Sequence, residues 1–480
     1  MNEAGCSRPA KSSQPSVIRN WFTRARRFLG FAGPAMLVSV GYIDPGNWAT
    51  DLEGGARFGY RLIWVLVASS LIAVLLQTLS ARLGIVTGKN LAEACRSAYS
   101  RRVNVALWAL AEIGIIACDS AEVVGSAIAL KLLFGVPLLL GATLTALDVL
   151  IVLALQHRRL AVLELIIGGL LLAIAACLGV EIWFARPQLK ALLGGLVPVL
   201  PAGSLYAAVG ILGATVMPHN LYLQSAFVEQ SRSASRDRAL RRSWVSTAVA
   251  LNLALLLNLS ILLLSAEAFA SRGMVVVDLQ DAHRLLAPLL GSSAAATWFA
   301  IGLLCSGQSA TVTGTLAGQV VIEGFLRTRL SPLLRRGLTR CAAVLPAVLM
   351  FASVGESGAT LLLVGSQVVL SLQLPFAIVP LLRVTASTKT MKGLENSQLL
   401  RYLGVVCAVA VCIANGLLLW KTFADLRTTS LLASEAFAVV CLAGMGFLGW
   451  ISLSPLRTTR PQTRLVSAPE YGPEFLDQRS

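Results

Sequence analysis

Windows of twenty or more predominantly apolar residues recur along most of this chain, separated by short polar connections, and each is long enough to cross a hydrocarbon layer as a helix. The pattern predicts about twelve spans, at about 29–54, 61–84, 104–131, 136–155, 161–184, 203–228, 243–270, 293–325, 339–353, 358–382, 401–421 and 430–452. Two of these runs are broken inside. Asp44-Pro45-Gly46-Asn47 plants a carboxylate, a carboxamide and two helix breakers in span 1, and Met217-Pro218-His219-Asn220 interrupts span 6. With no water in the hydrocarbon to take up freed backbone groups, such breaks survive only beside protein partners or a wet cavity. Two broken helices facing each other therefore predict a binding site near the midplane.

The breaks lie five spans apart, which suggests one unit used twice in opposite orientations: spans 1–5 over 29–184 and spans 6–10 over 203–382. Spans 11 and 12, over 401–453, are expected to be peripheral packing helices, followed by a polar tail at 454–480. With 480 residues, 56% of them hydrophobic and 13% charged, and a mean hydropathy of +0.74, the chain reads as an all-α polytopic membrane protein. A net charge of +16 would point to nucleic acid in a soluble chain. Here Lys and Arg sit in alternate short connections: the basic segment 1–28, the 2/3 loop with Arg96, Arg101 and Arg102, and the 4/5 loop with Arg158 and Arg159. The 6/7 loop with Arg232 and Arg236 and the 8/9 loop with Arg327 and Arg329 continue the series. That asymmetry reports orientation, with both termini cytoplasmic, and no nucleic-acid partner is expected. Nine Cys are scattered without a C-x-x-C pair, so neither a disulfide framework nor a zinc site is indicated. The first span is too long and too polar at its centre for a cleaved signal peptide.

At the first break Asp44 offers a hard carboxylate and Asn47 a neutral carbonyl oxygen. At the second, Met217 offers a thioether and Ala214, one turn earlier, a backbone carbonyl that unwinding could free. Oxygen ligands alone suit Mg²⁺ or Ca²⁺, whereas a sulfur ligand favours softer ions such as Mn²⁺, Fe²⁺, Co²⁺ or Cd²⁺. A methionine in a membrane helix is usually a gap-filler. One directly before Pro218, beside His219 and Asn220, is in position to ligate. His219 suits proton carriage or structural hydrogen bonding better than ligation; His157 and His283 fall in predicted loops. Glu112, Asp119 and Glu122 lie near one stripe of span 3, and acids inside a membrane normally mark ion or proton routes. Glu122 has a structural alternative, a salt bridge to Arg340 at the start of span 9, which leaves Asp119 the better proton acceptor.

The strings GYIDPGNWATDLEGGARFGY, LSARLGIVTGKNLAE, IIACDSAEVVGSAIAL, GATVMPHNLYLQSA, SGQSATVTGTLAGQVVIEGFL and SQVVLSLQLPFAIVPL resemble the signature segments of the Nramp family, the natural resistance-associated macrophage proteins, in its bacterial manganese-transporting branch. The resemblance runs from about residue 28 to 384, and the combination of D-P-G-N, M-P-H-N and the third-span acids is highly specific. It implies a leucine-transporter-like fold with a 5+5 inverted repeat and proton-coupled import of divalent transition metal through a bacterial inner membrane. It implies no enzymatic activity and no prosthetic cofactor; the metal ion, protons and the bilayer are the partners, and a monomer suffices.

By position, Asp44, Asn47, Ala214 and Met217 match the family's metal ligands. A tenth-span glutamine is also implied, with Gln373 favoured over Gln367. His219, Asp119, Glu122 and Glu112 match the proton route or its supporting network, with Arg340 as a partner. The chain departs from the family pattern at Gln224, where a second histidine is usual, at Cys118, where threonine is usual, and at Glu53, an added acid; Gln224 puts the proton coupling in question. Two other functions are open. One is an ion-coupled carrier of amino acids or other organic solutes on the same fold, which would need small residues and room at the breaks. The other is a membrane sensor without turnover, for which the chain carries no signalling domain.

Overall fold

The computed structural model describes residues 41–145, 160–229, 236–276, 278–290, 293–327 and 332–456. The basic segment 1–28, span 1 through residue 40, span 4 from residue 146, the connection holding His157, Arg158 and Arg159, Arg232 of the 6/7 loop, Arg329 and the tail from 457 lie outside the described residues. The described residues are helical, with no strand among them, and seven helical stretches are long and apolar enough to cross a membrane.

Local chemistry explains where the helices begin and end. Span 1 restarts at Pro45, whose missing N–H costs nothing in the first turn, and runs to Phe58. Span 2, Ile63–Thr87, stops at Gly88 with φ of 68°, and span 3, Arg101–Phe134, stops at Gly135 with φ of 70°; this left-handed exit suits glycine. Span 5 covers Leu160–Ala185 and span 7 Arg236–Ala268. Span 6 is in two pieces, Leu205–Thr215 and Pro218–Glu229. Span 8, Ser293–Leu326, is long but dotted with Ser, Thr and Gly over 306–315, because it packs among spans 3, 5 and the second half of span 6.

One expectation is corrected: His283 lies on a helix, Leu279–Leu290, rather than in a loop. Span 10 runs over Gly358–Gln373 and Pro375–Ala386 as one apolar stretch of 29 residues, because Leu374 between them keeps helical dihedrals, φ −55° and ψ −43°, and its carbonyl accepts the Ile378 N–H at 3.0 Å. Spans 11, Gln398–Thr429, and 12, Leu431–Leu453, present most of their apolar surface outward and bury only a few residues, among them Asn415, Leu418 and Ile451.

Contacts between connections sort them into two faces. On one, Trp64 N–H donates to Gly195 O at 3.0 Å, Tyr60 Oη to Glu267 Oε2 at 2.7 Å, Thr360 Oγ1 to Asp278 Oδ2 at 3.1 Å, and Lys131 pairs with Glu356. On the other, Arg82 Nη2 donates to Leu394 O at 3.1 Å, Arg96 Nη1 to Glu323 O at 3.0 Å, and Leu91 N–H to Ser225 Oγ at 2.8 Å. The 1/2, 3/4, 5/6, 7/8 and 9/10 connections thus share one face, and the 2/3, 8/9 and 10/11 connections share the other with the end of span 6. The hydrophobic core runs between them, through Trp48, Leu76, Leu79, Tyr222, Phe299 and Leu303, with Trp48 edge-on to Phe299 at a centroid distance of 5.2 Å.

Helices here approach closely through small residues. A Cβ on Gly84 of span 2 would run into the carbonyl of Ser225 in span 6, a backbone atom that cannot turn away. Gly84→Val should therefore lower unfolding stability by about 1–3 kcal/mol, read as a lower thermal midpoint of the detergent-purified protein, with Gly84→Ala intermediate. An unchanged midpoint for both variants would show that spans 2 and 6 separate here without cost.

Candidate metal centre

At the first break Asp44 acts as the cap of the restarted helix: its Oδ1 accepts the Asn47 N–H at 2.7 Å. The carbonyls left behind are each served from another span. Asn258 Nδ2 of span 7 donates to Tyr42 O at 2.9 Å, and Ser306 Oγ of span 8 donates to Ile43 O. The Pro45 ring sits against Gly125 of span 3, where any side chain would collide with it. Neither amide atom of Asn47 has a hydrogen-bond partner, although the residue is buried.

At the second break the first half of span 6 ends at Thr215, and Val216 turns out of the helix with φ of −111° and ψ of 71°. The helix bond to the Ala214 carbonyl would come from residue 218, which is proline and has no N–H. Sequence order thus leaves this one carbonyl without its helix donor. Met217 is fully buried beside it, and its Sδ receives Asn220 Nδ2 at 3.6 Å.

The two breaks are joined by span 10. Gln367 lies flush against Gly46, where a Cβ would overlap its amide, and its own carbonyl is pressed against Gly213, one residue before Ala214. Gln367 Nε2 donates to Ser366 Oγ at 3.1 Å, while Oε1 is buried without a partner. Gln373 lies six residues further, about 9 Å along a helix axis. Its Oε1 faces Gly114 of span 3. Of the two tenth-span glutamines, the structure therefore brings Gln367 to the breaks. The hydropathy pattern could not separate them.

Cys118 sits between the break and the acids of span 3. Its Sγ is 3.9 Å from Asp44 Oδ2, 3.8 Å from Glu122 Oε1 and 3.9 Å from His219 Nε2. Asp119 and Glu122 both face Gly314 of span 8, at 3.0 and 3.1 Å from where its Cβ would lie. Arg340 Nη1 is 3.5 Å from Glu122 Oε2, and its Nη2 donates to Thr145 O at 3.2 Å and Thr311 Oγ1 at 3.4 Å. Glu112 is half-buried seven residues before Asp119, about 10 Å along span 3. Gln224 donates to Thr247 Oγ1 of span 7 at 3.0 Å, and Glu53 pairs with Arg57 at 3.3 Å. Two further buried acids, Asp51 and Glu181, have both carboxylate oxygens unpartnered; intramembrane acids were the available signal for them.

No group of three or more His, Cys, Asp or Glu among the described residues is placed to hold a metal ion. The donors that the two breaks themselves offer are amide oxygens, a carbonyl, a thioether and the Asp44 carboxylate.

The chain matches the natural resistance-associated macrophage protein-like family over residues 35–421. It is 52% identical over 411 residues to the divalent metal cation transporter MntH of Xanthomonas campestris pv. campestris, covering 84% of this chain and 91% of that protein. It is 47% identical over 410 residues to the protein of the same name in Listeria welshimeri, covering 84% and 92%. Among solved structures, the Eremococcus coleocola manganese transporter aligns with a TM-score of 0.81 and 34% identity, covering 92% of this chain and 96% of that one. Mhp1, a nucleobase-cation-symport-1 family transporter, aligns with a TM-score of 0.55 at 15% identity over 87% and 92%, a likeness of fold alone.

The buried Arg340–Glu122 pair gives a test of its own. Arg340→Met strands an uncompensated charge and should cost about 3–5 kcal/mol of stability, while Arg340→Met with Glu122→Gln should recover most of that loss. Chemical unfolding in detergent measures both; equal destabilisation by the single and double variants would mean that the pair is not coupled.

Proposed function

The chain belongs to the Nramp family of transporters, and from that premise we propose that it imports divalent transition metal, Mn²⁺ or Fe²⁺, across a bacterial inner membrane together with protons. One observation carries the reading: the buried, unpartnered acceptors of Asn47 and Gln367 lie at two interrupted helices that also carry Asp44, the Ala214 carbonyl that lacks its helix donor and the Met217 thioether, with Gln367 packed against both breaks. That donor set suits a dehydrated divalent cation, and its sulfur favours Mn²⁺, Fe²⁺ or softer ions over Mg²⁺ and Ca²⁺.

In this mechanism Asp44 supplies the charge that draws the ion in, and Asn47, Ala214 and Met217 replace its water. Gln367, rather than Gln373, is the tenth-span residue that approaches it. Binding displaces or accompanies a proton that Asp44 and Asp119 share, which leaves past Glu122, with His219 and Glu112 in the supporting network and Arg340 holding Glu122. Rocking of a bundle of spans 1, 2, 6 and 7 would expose the site to each side in turn, with both termini cytoplasmic. A membrane potential adds roughly 2.3 kcal/mol per charge per 100 mV to inward movement of the cation. An organic-solute carrier needs open volume at the breaks. The Gln367 amide packed against Gly46 and the buried Met217 disfavour it.

Uptake into proteoliposomes carrying an internal pH indicator tests this. The wild type should take up Mn²⁺ with acidification and exclude Mg²⁺ and Ca²⁺, and Met217→Ala should lose that discrimination. Asp44→Asn should reduce Mn²⁺ uptake by more than the roughly 10–100-fold typical of substitutions behind a metal's direct ligands. A wild type that ignores Mn²⁺ would sink the reading, whereas Mn²⁺ uptake without acidification would keep the metal site and place the loss of coupling at Gln224.

A further inference from the structure

Both breaks carry one four-residue pattern: a residue just before the restarted helix, proline, a variable residue and asparagine, as Asp44-Pro45-Gly46-Asn47 and Met217-Pro218-His219-Asn220. Each asparagine therefore stands at the third position of the helix that follows its break, where a side chain can reach back to the cap. The two use that reach differently. Asp44 caps its own helix, taking the Asn47 N–H at 2.7 Å, and this leaves the Asn47 amide unpartnered. Met217 has no oxygen to cap with, and Asn220 instead turns its Nδ2 back onto the Met217 Sδ at 3.6 Å.

Asn220 is itself held. It is fully buried, and it lies against Gly41 at the end of the first half of span 1, where a Cβ would come within 2.8 Å of Nδ2 and 3.2 Å of Oδ1. The Tyr42 hydroxyl, which accepts from Gln77 Nε2, lies beside it. A thioether on three rotatable bonds is otherwise the least fixed of metal ligands. An amide N–H on one sulfur lone pair narrows its rotamers and leaves the other lone pair for an ion, so less order has to be imposed on binding.

We propose that Asn220 is a positioning residue, which orients the Met217 thioether and thereby sets the preference of the site for sulfur-binding ions. The inverted repeat thus puts the same asparagine to two uses, a ligand in span 1 and a ligand holder in span 6. This inference rests on Met217 as a ligand, and the experiment separates the two.

Equilibrium binding and proteoliposome uptake of Mn²⁺, Cd²⁺ and Mg²⁺ are measured for wild type, Asn220→Leu, Met217→Ala and the double variant, on monodisperse protein. Asn220→Leu should raise the KM and Kd for Mn²⁺ and Cd²⁺ by about tenfold or more, the scale of losses from substitutions behind a ligand, while changing the maximal rate by about twofold at most. On the Met217→Ala background the same substitution should change Kd less than about twofold. Asn220→Ser, too short to reach the sulfur, should reproduce the leucine variant and stands in for it if leucine impairs folding. Equal losses on both backgrounds, or a lower maximal rate with unchanged KM, would overturn the positioning role. If Met217→Ala keeps the wild-type preference for Mn²⁺ over Mg²⁺, the ligand assignment itself fails, whatever Asn220→Leu does.

Discussion

The bilayer supplies no hydrogen bonds, and that constraint shapes this molecule more than any single contact. Breaking a helix inside it strands several peptide groups, each costly to leave unpaired. At the first break the account is closed from outside the helix: Asn258 takes the Tyr42 carbonyl, Ser306 the Ile43 carbonyl and Asp44 the Asn47 N–H. The second break is not closed in the same way, because Pro218 stands where the donor to Ala214 should be. What would be a defect in a structural helix leaves a carbonyl without its helix donor at the break.

This arrangement depends on close packing around the breaks. Gly125 makes room for the Pro45 ring, Gly46 for the Gln367 amide and Gly314 for the carboxylates of Asp119 and Glu122. The helices that carry these residues, spans 3, 8 and 10, surround spans 1 and 6 as a frame. The Glu122–Arg340 pair lies beside that frame, with Thr145 O and Thr311 Oγ1 accepting from Arg340 Nη2. Cys118 joins the frame to the site, with its Sγ within 3.9 Å of Asp44, Glu122 and His219 at once.

The likeness to Mhp1 at 15% identity separates fold from chemistry. A shared scaffold offers two interrupted helices and a frame, and says nothing about what lies between them. The distinction rests on side chains: a carboxylate, two amides and a thioether crowd the space that an organic solute would need.

The sequence by itself determined the class of the protein, the positions of most spans and the two breaks, because hydropathy over twenty residues is a local signal, and so is a proline set among polar side chains in an apolar run. It also placed a carboxylate, an amide and a thioether, those of Asp44, Asn47 and Met217, within a residue or two of a break. Only the tertiary structure decided which tenth-span glutamine meets the break, that Asn258 and Ser306 serve the freed carbonyls, that Cys118 bridges the two halves of the site, and that Asn220 holds Met217. These are relations between different helices, or choices among rotamers, and neither is encoded in the spacing of residues along one helix.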